Sequence, residues 1–160
     1  MSIQYTQIVK TLPSSVPFVG PEAQERRLGK NFEARIGANE SVFGPSPKAV
    51  LAMMDETGQA WKYGDPESFD LKHALAKKHN VAFENIIVGE GIDGLLGYLV
   101  RLFIEQGDNV VTTDGAYPTF NYHVEGFGGQ LHKVPFKDDT EDLDNLLNKV
   151  RETKAKMLYV

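Results

Sequence analysis

One short stretch concentrates the chemistry this sequence could perform: Val88-Gly89-Glu90-Gly91-Ile92-Asp93-Gly94, followed by leucines and a phenylalanine at helical spacing. Glycines ahead of a helix let backbone amides approach a ligand closely. The helix N-terminus adds unpaired N–H groups and a partial positive charge. That combination binds anions, most often phosphate. A tight turn leading into a core helix is the competing account of the same residues. A second loop, Asp114-Gly115-Ala116-Tyr117-Pro118, carries Tyr117, either a flat aromatic face beside a phosphate cradle or an ordinary packed ring. Other chemistry-bearing types are poorly placed. His73 and His79 are six apart, which is not metal-ligand spacing on a helix, and the chain has no cysteine for a thiolate site or a disulfide.

The elements that must position these loops follow from pattern. Ile86, Ile87 and Val88 form a continuous apolar run, as expected of a strand buried on both faces. Leu95, Leu96, Leu99, Leu102 and Phe103 then mark a helix, expected to end at Gly107. Val110–Thr113 reads as a strand, Pro118–Gly126 as a helix and Gln130–Val134 as a strand. Asp139 is a candidate cap for a helix carrying Leu143, Leu146, Leu147 and Val150, and Met157–Val160 is expected to be a fourth strand.

Upstream, prolines at 13, 17 and 21 punctuate an extended arm over residues 1–31, with one short helix near Glu22–Leu28 and a short strand at Phe32–Ile36. Ser46 and Pro47 read as N-cap and first position of a helix with Val50, Met53 and Met54 inward. Ser68 is expected to cap a helix with Leu71, Ala74 and Leu75 inward, ending near Asn80.

Strands alternating with helices predict an α/β fold: a three-layer, parallel-type sheet with helices on both faces, preceded by the arm. Ligands of such sheets bind beyond the C-terminal ends of the strands. Both loops, Gly89–Gly94 and Asp114–Pro118, fall at that edge, which favours the phosphate account. The chain of 160 residues is 41% hydrophobic, enough for a real core. Its 17 basic and 22 acidic residues give net charge −5, which disfavours a nucleic-acid partner or an anionic membrane surface. Met1–Lys10 lacks an apolar signal core and no run reaches transmembrane length, so a soluble, cytoplasmic protein is expected. A buried parallel strand at the very end of the sequence suggests an incomplete domain.

Taken in order, Asn39-Glu40-Ser41-Val42-Phe43-Gly44-Pro45-Ser46-Pro47, Tyr63-Gly64-Asp65-Pro66, the Val88–Gly94 stretch, Leu102–Asp108 and Ala116-Tyr117-Pro118-Thr119-Phe120 resemble the N-terminal half of a class I/II, fold-type I aminotransferase dependent on pyridoxal phosphate. The histidinol-phosphate aminotransferase branch is the nearest, and the resemblance runs from about residue 35 to residue 160. It implies that residues 1–60 are an arm and first helix of the small-domain and dimer region. Residues 61–160 would then be the first part of the cofactor-binding large domain. It implies amino transfer from an amino acid to a 2-oxo acid.

The resemblance also implies roles. Gly91, Ile92 and Asp93 match the turn whose amides hold the cofactor phosphate, and Tyr117 matches the aromatic stacked on its ring. Tyr63 matches a tyrosine that reaches the phosphate from a partner subunit, hence a homodimer with shared active sites. Asn39 lies in the passage lining the substrate entrance. The family's Schiff-base lysine has no counterpart here, so no catalytic residue is assigned and the chain by itself is expected to be inactive. Gly94 stands where a glutamate is commoner, and Glu90 places a carboxylate near the cradle, where it would oppose a phosphate dianion unless turned away. Three other accounts remain: a decarboxylase or lyase of the same fold, a non-catalytic aminotransferase-like ligand-binding module, and an unrelated phosphate-binding α/β protein.

Overall fold

The structure, a computed structural model, describes residues 4–13, 18–37 and 40–160. In chain order its elements are α1 (Gln7–Thr11), α2 (Pro21–Leu28), α3 (Pro47–Glu56), α4 (Phe69–His79), α5 (Gly91–Phe103), β1 (Asn109–Thr113), α6 (Pro118–Gly126), β2 (Gln130–Val134), α7 (Leu143–Thr153) and β3 (Met157–Tyr159). They fall into two units, Met1–Phe18 with Gly89–Val160, and Val19–Val88.

The first unit is the expected layered α/β arrangement. Its sheet has the order β2-β1-β3, and both pairings are parallel. Alternation along β1 sends neighbouring residues to opposite faces. Val110 joins Leu96, Val100 and Ile104 of α5 and Phe120 and Val124 of α6. Val111 joins Val134 and Leu146, with Val150 of α7 against them. All of Val110, Val111, Thr112 and Thr113 are completely buried, as a central strand covered on both sides requires. The Phe120 ring stacks on Tyr159 of β3 with centroids 4.1 Å apart, tying α6 to the edge strand. At the α5–α6 crossing the His123 ring lies so close to Gly97 that a Cβ there would sit 2.9 Å from it.

Local chemistry explains most boundaries. Pro118 sits at the first position of α6, where its missing N–H costs nothing. Asp142 rather than Asp139 caps α7, its carboxylate accepting from the Asn145 amide at 3.1 Å; Asp139 is held at positive φ in the preceding turn. Helix α5 stops at Phe103, earlier than expected, and Gly107 serves instead in the turn into β1, at φ +90. Of the apolar residues read from spacing, Leu96 is buried, whereas Leu99, Leu102 and Phe103 are exposed. The arm carries one further helix, α1, which Thr6 caps and whose Ile8 approaches Gly128.

The second unit carries helices and, among its described residues, no strand. Ser46 caps α3 as expected, accepting from the Ala49 amide at 3.1 Å. No residue of α3 is buried, so Val50, Met53 and Met54 are surface residues and not core. In α4 the buried residue is Ala76; Leu71 and Ala74 are exposed and Leu75 is half-buried, a rotation from the expected face. Phe32–Ile36 is not a strand: the Phe32 amide donates to the Glu25 carboxylate, and Arg35 pairs with Glu22. Ile86–Val88 is not a strand either. A strand exists by sharing its N–H and C=O groups with a neighbour, and none of the three strands pairs with this segment. Ile87 is accordingly 76% exposed. The last strand is therefore the third and not the fourth. Among the described residues, no helix is long and apolar enough to cross a membrane.

Candidate functional site

The C-terminal edge of the sheet in the first unit brings together Gly91, Ile92 and Asp93 at the start of α5 and Tyr117 at the start of α6. Core packing of Leu96 and Val100 fixes the axis of α5 and hence the direction its first turn faces. Gly91 opens that turn at φ +75, in open space, a conformation that L side chains rarely adopt. Its amide donates to the Gly89 carbonyl at 2.8 Å. The turn continues through Ile92 and Asp93, and no side chain caps it.

Tyr117 is placed from two directions. Behind it, the loop from β1 is fixed by the Asp114 amide on the Val134 carbonyl (2.7 Å) and the Ala116 amide on the Thr113 carbonyl (3.1 Å). The Thr113 hydroxyl donates to the Glu141 carboxylate at the same edge. Gly115 turns at φ +105 over the Phe136 ring. In front, the Tyr117 hydroxyl donates to Asp93 Oδ1 at 2.6 Å, joining the two loops. This bond to a carboxylate is the chief cause that holds the Tyr117 hydroxyl above the usual tyrosine range.

Two carboxylates thus flank the first turn of α5, and neither caps it. Asp93 takes the Tyr117 hydroxyl. Glu90, at the N-cap position, accepts the Tyr98 hydroxyl at 3.1 and 3.3 Å, two turns along the helix. Sequence reasoning missed Tyr98, although Glu90, Gly94 and Tyr98 recur every four residues and so share one helix face. An uncapped helix start with a positive dipole end, bounded by a partly exposed aromatic ring, can hold a phosphate-bearing planar ligand. Among the described residues no cluster of His, Cys, Asp and Glu could hold a metal ion.

Tyr63 lies in the second unit and is fully exposed on the Trp61–Asp65 loop. Asn39 lies outside the described residues. In the same unit the start of α4 behaves differently from that of α5. Ser68, the expected cap, sits at φ +48 without a capping bond, and Asp65 does the work, accepting from the amides of Phe69 (2.7 Å) and Glu67 (3.0 Å).

Comparison with known proteins gives a consistent picture. The family model described as aminotransferase class I and II matches residues 34–160. A histidinol-phosphate aminotransferase from Moorella thermoacetica is 32% identical over 137 residues, covering 86% of this chain and 36% of that protein. Histidinol-phosphate aminotransferase 2 from Carboxydothermus hydrogenoformans is 30% identical over 152 residues, covering 95% of this chain and 42% of that protein. The chain therefore spans about two fifths of the length of such relatives. The crystal structure of histidinol-phosphate aminotransferase from Sinorhizobium meliloti in complex with pyridoxal-5'-phosphate superposes with a TM-score of 0.89 at 51% identity, covering 100% of this chain and 42% of that one. An aspartate aminotransferase from Thermus thermophilus, at 21% identity and a TM-score of 0.72 over 99% of this chain and 44% of that one, shares the fold.

Proposed function

Because the chain belongs to the aminotransferase class I and II family, we propose that it supplies the cofactor-phosphate cradle and ring-stacking residue of a pyridoxal-phosphate-dependent aminotransferase that acts on amino acids or on histidinol phosphate. The observation that carries this is the start of α5: a glycine-led turn with no side-chain cap, joined to Tyr117 by the 2.6 Å bond from its hydroxyl to Asp93.

In this reading the amides of the Gly91–Asp93 turn receive the cofactor phosphate, where the helix dipole favours a dianion. Tyr117 offers its ring to the planar heterocycle, and Asp93 holds that ring by its hydroxyl, so the stacking face is preset before the ligand arrives. Tyr63 completes the phosphate site across a homodimer, and Asn39 borders the substrate entrance. Bound there, pyridoxal phosphate supplies the electron sink on which amino transfer to a 2-oxo acid depends. The residues of this chain bind and orient. We assign none of them a proton-transfer role, and the protein is placed in the cytoplasm.

Titration calorimetry of the chain with pyridoxal 5'-phosphate tests the cradle. Saturable binding is expected, with inorganic phosphate competing and Tyr117→Ala weakening affinity by about five- to 150-fold, in line with about 1–3 kcal/mol for aromatic stacking of a planar ring. Absence of saturable binding, or binding indifferent to phosphate, overturns it. The activity itself is read from a polypeptide that carries this segment at the length of its relatives: amino transfer from histidinol phosphate to a 2-oxo acid is expected. With an amino acid offered as donor in its place, loss of its carboxyl carbon as carbon dioxide would mark a decarboxylase instead.

A further inference from the structure

Glu90 poses a problem for the cofactor reading. It is the residue immediately before the cradle, and an acidic side chain at an N-cap position ordinarily turns onto the first-turn amides or at least lends them its charge. Either behaviour would compete with a phosphate dianion. In the structure it makes no capping bond to those amides. The carboxylate runs back along α5, receives the Tyr98 hydroxyl at 3.1 and 3.3 Å, and crosses the helix over Gly94. The crossing is close: a Cβ on Gly94 would lie 2.8 Å from Glu90 Oε2 and 3.4 Å from Glu90 Cβ. Any side chain at position 94 would push the carboxylate off this path.

From these contacts we infer that Tyr98 and Gly94 form a latch that draws the Glu90 carboxylate away from the Gly91–Asp93 amides and so keeps the cradle open to a phosphate dianion. The inference rests on the cofactor reading of that cradle. It assigns a positioning role to two residues that touch no ligand. With Glu90 lying across it, the helix face at Gly94 must be bare. The Tyr98 hydroxyl is held above the usual tyrosine range chiefly by its bond to Glu90, so the latch is closed with a neutral phenol at neutral pH. Gly89 contributes on the other side, since a Cβ there would lie 2.9 Å from Leu95 and 3.6 Å from the Tyr98 ring. The turn and the latch tyrosine are thus packed against each other.

The measurement is a set of dissociation constants for pyridoxal 5'-phosphate, and separately for inorganic phosphate, on the chain and its variants Tyr98→Phe, Gly94→Ala, Glu90→Gln and the double variant Tyr98→Phe/Glu90→Gln. A unit charge released to within several ångströms of a dianion in a largely aqueous setting weakens binding by about three- to tenfold. That loss is expected for Tyr98→Phe and Gly94→Ala, shrinking as salt is raised. Glu90→Gln is expected to bind at least as tightly as the parent chain, and to restore the affinity lost in Tyr98→Phe. A tyrosine that only packs would show no such rescue, because removing a charge elsewhere does not repair packing. Parent binding with Tyr98→Phe unchanged, or a loss that Glu90→Gln fails to restore, overturns the latch and leaves the cofactor reading standing. Failure of the parent chain to bind either ligand overturns both.

Discussion

Helices α4 and α5 begin in opposite ways. At α4 an aspartate four residues ahead of the first helical position takes the Phe69 amide, together with that of Glu67 in the loop between, so a side chain caps the helix start. At α5 two carboxylates stand nearby, and each is occupied by a tyrosine hydroxyl instead, Asp93 by Tyr117 and Glu90 by Tyr98. The same electrostatics operate at both ends, yet one start carries a side-chain cap and the other does not. What differs is the competing donor. A helix start becomes a ligand site when its local acceptors have been given something else to hold.

The contrast extends to anchoring, and there the largest effect is expected. α5 buries Leu96 and Val100 in the sheet's core, whereas α4 buries only Ala76. Leu96→Ala should lower stability by about 2–5 kcal/mol in urea denaturation, as deletion of a packed leucine does. Leu71→Ala, at an exposed position of α4, should stay within about 0.5 kcal/mol. Equal costs would mean that α5 is no better fixed than α4.

A smaller separation is expected from the caps. Asp65→Ala removes the acceptor of the first α4 amide, Phe69, and of the Glu67 amide in the loop before it, and should lower the melting temperature by a few degrees, while Glu90→Ala removes no capping bond and should shift it less. Protons sharpen the same point. The Asp65 carboxyl is held below the usual range, first by the Phe69 amide and then by that of Glu67. Its contribution to α4 is therefore complete at neutral pH, begins to fade as the pH drops through about 4, and is gone below the lowered folded value. Helical circular dichroism of the parent chain should decline in that window relative to Asp65→Asn, which has no such titration.

The smallest effect is read at Tyr117. Its titration, followed by NMR of the ring, should lie above the usual tyrosine range and fall back toward it in Asp93→Asn, since the carboxylate is the main cause of the rise. Any stability this group adds is present at neutral pH and is lost as pH rises from about 10 through the folded value. An unchanged Tyr117 titration in Asp93→Asn would remove the link between the two loops.

Where structure is set locally, the sequence was sufficient. α6 and β2 have the expected limits because Pro118 starts the helix, Gly126 ends it, and Gly128 and Gly129 lead the chain into a strand whose apolar residues are Leu131 and Val134. The β-α-β order accounts for Tyr117, which follows β1, whereas no strand leads into α5 and its first turn is joined to Tyr117 by the bond to Asp93. What depends on a distant partner was not legible. Ile86–Val88 has the composition of a strand, but pairing is a property of two segments, and composition reports one. The inward face of α4 was misplaced because its few leucines mark no clear stripe, and Asp65 was overlooked as a cap because Ser68 stands at the usual position. The link from Glu90 to Tyr98 needs two long side chains and a bare Gly94 between them, a three-residue condition that single-residue preferences do not signal.

One consequence of β1 concerns time rather than geometry. Its four residues Val110–Thr113 have no exposed surface, and the chain passes from them into the Tyr117 loop within a few residues. Proteins open piecemeal, with the most deeply buried segments last. Amides of β1 should therefore be the slowest to exchange with solvent deuterium in this chain, and those of the arm and of α3 among the fastest. The Tyr117 ring is hung from the part of the molecule that lets go last, so fluctuations that fray its periphery leave the ring in place.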